Sequence, residues 1–192
     1  MRKKLNYIVS ALVISLCFSP AKSQVVINEY SCSNLNSFAD NFGQYEDWIE
    51  LYNTSAAAVN LTGYYLSDKK TNPTKWQLGA ATINANGFLR IWASGRGINT
   101  GPNLHAGFKL TQCKPEAIGF ADALGAIIDS LTLKPAQEAH SRGRTTDGAA
   151  TWSVFLNPTP NASNTTPYQE YATRPVMSAS AGFYPGTQNI TI

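Results

Sequence analysis

Asp47-Trp48-Ile49-Glu50-Leu51-Tyr52-Asn53 is the stretch on which the fold turns. In an extended chain, Ile49 and Leu51 fall on one face and Trp48, Glu50 and Tyr52 on the other. Aromatic and β-branched residues suit a pleated surface, and Asn53-Thr54-Ser55 supplies the turn that stops it. The alternation predicts a strand over 47–52. Upstream, Val25-Val26-Ile27-Asn28-Glu29-Tyr30 reads as another strand, and downstream Phe88-Leu89-Arg90-Ile91-Trp92-Ala93 turns Leu89, Ile91 and Ala93 toward one core.

The same short β-rich runs recur along the chain. Strands are predicted over 59–61, 64–67, 76–78, 81–83, 108–110, 117–120, 126–131 and 152–155. Residues 31–44, 68–74, 94–104 and 140–148 are polar or glycine-rich and read as loops. Helical periodicity is hard to find. Short strands at roughly 8–12-residue spacing indicate an all-β sandwich or barrel, and the lack of an even, uninterrupted meander favours the β-sandwich.

Charge divides the chain into unequal parts. The 192 residues hold 15 Lys+Arg against 12 Asp+Glu, a formal charge of +3. Arg2, Lys3, Lys4 and Lys22 all precede Gln24, and the remaining eleven basic residues face 12 acidic ones, a net of −1. Nucleic-acid binding is therefore disfavoured. The basic start, the apolar run 7–16 and the small residues Ala21 and Ser23 read as a secretory signal peptide over 1–23. The apolar run is shorter than the roughly 20 residues that a spanning helix needs. Export permits a disulfide between Cys32 and Cys113, although two separate buried thiols fit equally well.

Residues 24–164 form one predicted domain. Asn157-Pro158-Thr159-Pro160-Asn161-Ala162-Ser163-Asn164 marks its end, 165–174 reads as a linker, and 175–192 as the start of a second β module. Eighteen residues cannot build a core alone, so the chain is expected to be the N-terminal part of a longer protein.

Among chemistry-bearing residues, Asp47, Glu50 and Asp68, with Glu29, form the best carboxylate cluster. Calcium would need six to eight oxygens from it. No Asp-x-Asp-x-Asp loop supports that, and caps, turns and pairing with Arg142 or Arg144 are the favoured roles. His105 and His140 fit no zinc spacing, and no metal or other cofactor is expected. The chain lacks a Gly-x-Ser-x-Gly elbow and a P-loop, and the glycines of 95–101 miss the dinucleotide spacing. Arg142-Gly143-Arg144 could grip phosphate or acidic sugars through guanidinium forks, against the alternative of pairing within the domain around a bulge at Gly143. Trp48 and Trp92, opposite the aliphatic positions of their strands, are the aromatics expected to be open to a ligand.

Several of these pieces occur in a definite order. Val26-Ile27-Asn28-Glu29-Tyr30 and Asp47-Trp48-Ile49-Glu50-Leu51-Tyr52-Asn53 come first, then Val59-Asn60-Leu61-Thr62-Gly63-Tyr64-Tyr65-Leu66-Ser67-Asp68 and Lys75-Trp76-Gln77. Phe108-Lys109-Leu110, Asp129-Ser130, Ser141-Arg142-Gly143-Arg144, Asp147-Gly148, Trp152 and Thr159-Pro160-Asn161-Ala162-Ser163-Asn164 come next. The series resembles the lamin tail domain of exported bacterial proteins over about residues 24–164. The resemblance implies an immunoglobulin-like β-sandwich. It departs at Gln112-Cys113-Lys114-Pro115-Glu116, where the family often has a Gly-Glu turn. Residues 175–192 resemble the start of a chitobiase C-terminal-type or fibronectin-III-associated module. In similar exported proteins such modules precede a larger domain, such as a spore-coat CotH-like kinase or a hydrolase. The resemblance thus implies a non-catalytic binding or tethering module with a cell-surface, polysaccharide or protein partner. The alternative is the accessory part of a larger enzyme.

Overall fold

The computed structural model describes residues 24–112, 114–172, 176–180 and 182–191. The signal-peptide reading of 1–23, and the Cys113 end of the Cys32–Cys113 pairing, lie outside them. Twelve strands are formed among the described residues: β1 (Val25–Ser31), β2 (Trp48–Asn53), β3 (Val59–Asn60), β4 (Tyr65–Ser67), β5 (Trp76–Gln77), β6 (Thr82–Ile83), β7 (Phe88–Trp92), β8 (Leu104–His105), β9 (Ala117–Ala121), β10 (Ile127–Thr132), β11 (Ser141–Arg144) and β12 (Trp152–Phe155).

They build a six-stranded sheet in the order β12-β11-β1-β2-β7-β8, a four-stranded sheet β10-β9-β4-β5 and a small pair β3-β6. Pairing is antiparallel except between β7 and β8. One apolar cluster joins all three: Ile27, Tyr30, Ile49, Leu51 and Ile91 from the large sheet, Leu66, Trp76, Ile118 and Phe120 from the second, and Ile83 from the pair. This is the all-β, immunoglobulin-like β-sandwich that the strand pattern and the resemblance imply.

Two strands of the large sheet run through predicted loops. β11 lies between β1 and β12, with Tyr30 opposite Arg142 and Glu29 opposite Gly143. β8 forms at the end of the glycine-rich stretch. Conversely, Phe108-Lys109-Leu110 makes only an isolated bridge, between Lys109 and Ser94.

The bulge expected at Gly143 sits on the facing strand instead. The β1–β2 register shifts between Ile27 and Glu29, around Asn28. The extra residue lets Ile27 and Tyr30 both enter the core while Asn28 and Glu29 share the other face. That other face is also covered: Trp48 and Glu50 are both fully buried. An antiparallel sheet commonly leaves one face to water. Here the segments 33–47 and 157–164 take its place.

The end of the domain also differs from expectation. Residues 168–171, read as linker, dock on the sandwich: Tyr168 bridges Val154 of the edge strand β12, and Glu170 and Tyr171 bond to the sandwich. Residues 176–180 and 182–191 form no named strand, and Ser178 and Thr191 exchange hydrogen bonds. Among the described residues, no helix is long and apolar enough to cross a membrane.

Candidate functional site

Glu29 and Glu50, on neighbouring strands β1 and β2, point to the covered face of the large sheet and enter one polar network. Glu29 accepts from the Ser141 hydroxyl on β11 and from the Thr159 N–H and hydroxyl, at 3.1 and 2.9 Å. Glu50 accepts from the Asn28 side chain at 3.2 Å and from the Asn161 N–H. Asp147 accepts from Asn28 Nδ2 at 3.1 Å and from the Asn164 N–H at 2.9 Å. The Asn164 side chain donates to Arg144 O at 2.6 Å and accepts from the Thr159 hydroxyl at 3.2 Å.

The sum is a clasp. A proline-bearing strap over 157–164, poor in apolar anchors, is held on the sheet by buried acids and amides. Each buried polar group here offsets the desolvation of another, as interior polar groups must. Burial pushes Glu50 up to about 8, with the Glu29 carboxylate adding to it, and burial pushes Glu29 up as well. Arg90 lies opposite Glu50 in the β2–β7 register, but its guanidinium stacks 4.1 Å over the Trp92 ring. Among the described residues no ion pair joins it to Glu50.

The predicted carboxylate cluster divides between separate parts of the structure. Glu29 and Glu50 converge, but Asp47 caps the Asn34 N–H at 3.2 Å, and Asp68 pairs with Lys75 at 2.7 Å in the other sheet. Among the described residues no group of three or more His, Cys, Asp or Glu side chains is placed to hold a metal ion. The strand pattern missed Asn28, Asp147 and Asn164. The three asparagines of 157–164 were the available signal for Asn164.

The two tryptophans proposed as an open aromatic face are inside. Trp48 is 0% and Trp92 1% exposed. They sit opposite each other on β2 and β7. Among the described residues, the indole N–H of Trp48 has no hydrogen-bond partner. Neither ring can stack on a ligand at the surface. Phe42, which sequence reasoning passed over, is exposed above them, with Arg96 over its face at 4.7 Å and His105 against its edge.

His105 also meets Ser94, with 2.9 Å between Ser94 Oγ and Nδ1, while Asp40 lies 4.0 Å from the same nitrogen. A nucleophilic triad needs the serine and the acid on opposite ring nitrogens. Here both face Nδ1, and Nε2 contacts Asn41 at 2.7 Å. Ser94 and His105 are buried. Burial lowers the histidine toward its neutral form. The arrangement orders the 33–47 segment.

Arg142 and Arg144 lie toward the other mouth of the sandwich. Arg144 donates to Ile27 O at 2.7 Å, to Ala149 O and to Asp129 at 2.8 Å, which ties β11 to β10 of the second sheet. All three of its donor nitrogens are used, so it is a structural brace. Arg142 donates from Nε to Pro135 O at 2.7 Å and through both terminal nitrogens to Glu170, at 2.9 and 2.6 Å. It borders a cavity of about 210 Å³ together with Tyr30, Leu131, Lys134 and Trp152. Cys32 carries a free, buried thiol, which burial pushes up to about 11.

No curated protein gives a match to the chain. The family model described as Lamin Tail Domain matches residues 19–135, more than half of it. That is a non-catalytic, binding-type immunoglobulin-like family. The match ends before β11 and β12, yet those strands complete the same large sheet and carry Ser141 to the clasp. With the sandwich and the matched span in agreement, the chain belongs to the lamin tail domain family.

Proposed function

We propose that the chain is an exported, non-catalytic binding and tethering module, working at the cell surface or outside the cell. Its sandwich meets a cell-surface, polysaccharide or protein partner, and its clasped exit strap sets the direction in which a downstream domain is presented. One observation carries the reading. Thr159, Asn161 and Asn164 are all fastened to the carboxyl groups of Glu29, Glu50 and Asp147, and Tyr168 and Glu170 beyond them are bonded to Val154 and Arg142, so the chain leaves the domain along a fixed path. A passive linker would need no such buried contacts. The alternative, an accessory part of a larger enzyme, differs in the domain attached downstream, and the parent reading frame decides it.

Spin labels at Leu124 and Thr165, both exposed positions, test the strap. The full chain, with Cys17, Cys32 and Cys113 replaced by Ser, is expected to give one narrow distance distribution. Asn164→Ala together with Glu50→Ala is expected to broaden it severalfold while the β-sheet spectrum survives. An equally broad distribution in both proteins rejects a directed exit.

A further inference from the structure

We infer that the Arg142 cavity is a binding site for uronic acid residues of acidic polysaccharides, and that Glu170 is its built-in competitor. This deepens the binding half of the proposed function and rests on it. Arg142 is the permanent part of the site. Its side chain is only 8% exposed, and the bond from Nε to Pro135 O fixes the plane of the fork. A guanidinium in that position is costly without a carboxylate, and a planar fork accepts one in bidentate geometry. Glu170 supplies it, at 2.6 and 2.9 Å, but its own side chain is 51% exposed and comes from the segment beyond the strap. The buried partner belongs to the sandwich, and the removable one to the tail.

Charge and shape point the same way. Lys134 Nζ also reaches Glu170, at 3.2 Å, so two cations converge on one acid. Glu170 is the sole acid among the described residues that line the cavity. Even with Glu170 in place about 210 Å³ stays open beside the fork. That is below the roughly 300 Å³ at which pockets for drug-sized ligands begin, and suits one small ring. Half-buried Trp152, whose ring centroid lies 5.8 Å from that of the buried Tyr30, and Leu131 give the cavity an aromatic and apolar side. A hexuronate has a carboxylate for the fork, a ring face for Trp152 and hydroxyls for the polar rim. An amino-acid side-chain carboxylate fills only the fork.

An intramolecular acid at high effective concentration weakens the apparent affinity for an external one. Uronate binding would displace Glu170 and release the tail from Arg142 and Lys134, which couples ligand to exit.

Digalacturonate, titrated into the full chain by calorimetry with tryptophan fluorescence in parallel, is the test. Saturable binding is expected, selective over the corresponding neutral disaccharide. Glu170→Gln is expected to tighten it at least tenfold, and Arg142→Gln to abolish it. Lys134→Met changes a side chain that is 65% exposed, keeps the fold, and is expected to weaken binding severalfold. The inference is overturned if Glu170→Gln brings no gain, if the neutral disaccharide binds equally well, or if an acidic tripeptide binds where digalacturonate does not. Glu50 and Asn164, on which the strap test relies, lie outside this cavity, so either proposal can fail alone.

Discussion

Raising the pH from 5 to 8.5 is expected to lower the melting temperature of the chain, and Glu50→Gln to remove most of that loss. In the folded protein Glu50 is held up to about 8, first by burial and then by the facing Glu29, whereas in the unfolded chain it ionises near 4.5. Between those values the folded state keeps a proton that the unfolded state has released. Stability therefore falls with rising pH across this window, and is fully present below it. Asp47, raised to about 6 by burial, and Glu29, raised by burial, add in the same direction. The total is on the order of a few kcal/mol, since a tenfold change in acidity between the two states is worth about 1.4 kcal/mol. His105 opposes it only below the ordinary imidazole range, because burial favours its neutral form. Glu170, held down to about 2 chiefly by Arg142, loses its contribution as pH falls from its ordinary value toward 2, outside this window. Thermal melts of both proteins at half-unit pH steps decide the matter. A flat or rising profile in the parent, or an equal slope in Glu50→Gln, would mean that the clasp holds no proton at neutral pH.

How much of this was legible in the sequence depends on what kind of force holds each piece. β1, β2 and β7 were readable because aliphatic residues alternate along them, and alternation is what a half-buried strand leaves in a sequence. β11 was not. Ser141-Arg142-Gly143-Arg144 has no apolar residue, yet it is an inner strand of the large sheet. Its place is set by ladder bonds to β1 and β12 and by long-range polar partners such as Glu29, Asp129 and Glu170, which no local pattern encodes. β8, with two residues, is too short for any periodicity to show.

Trp48 and Trp92 make the same point. The alternation assigned them correctly to the face away from Ile49 and Ile91. It could not say that segments 33–47 and 157–164 would cover that face. Covering by loops depends on contacts such as Asn161 to Glu50, 111 residues apart in the chain. Of the candidate site, the two glutamates and the arginine pair were visible as residue types. Their separation into a clasp, a brace and a pocket was set by the three-dimensional path of the tail.

The tightness of the clasp can be measured at a position that carries no side chain. A Cβ on Gly143 would lie 2.9 Å from Asn164 Nδ2, 3.0 Å from Phe155 Cε2 and 3.1 Å from Glu29 Cγ. None of the three can retreat freely. Asn164 Nδ2 is tied to Arg144 O at 2.6 Å, Phe155 is fully buried, and Glu29 is fixed by Ser141 and Thr159. Gly143→Ala is therefore expected to destabilise the domain by about 2–4 kcal/mol, combining overpacking with a loosened buried hydrogen bond. Gly119 in β9 is the internal control, because a Cβ there meets nothing within 4 Å and its φ is one that any residue adopts. Gly119→Ala is expected to be neutral or stabilising by up to about 1 kcal/mol, through the reduced freedom of the unfolded chain. Urea titrations of both variants give the comparison. The sharper readout is a double-mutant cycle with Asn164→Ala. Removing the asparagine amide opens space for the new methyl, so the two losses should fall short of additivity by about 1 kcal/mol or more. Additive losses would place the clash on Phe155 and Glu29 alone, and a Gly143→Ala domain as stable as its parent would show that the strap does not press on β11 at all.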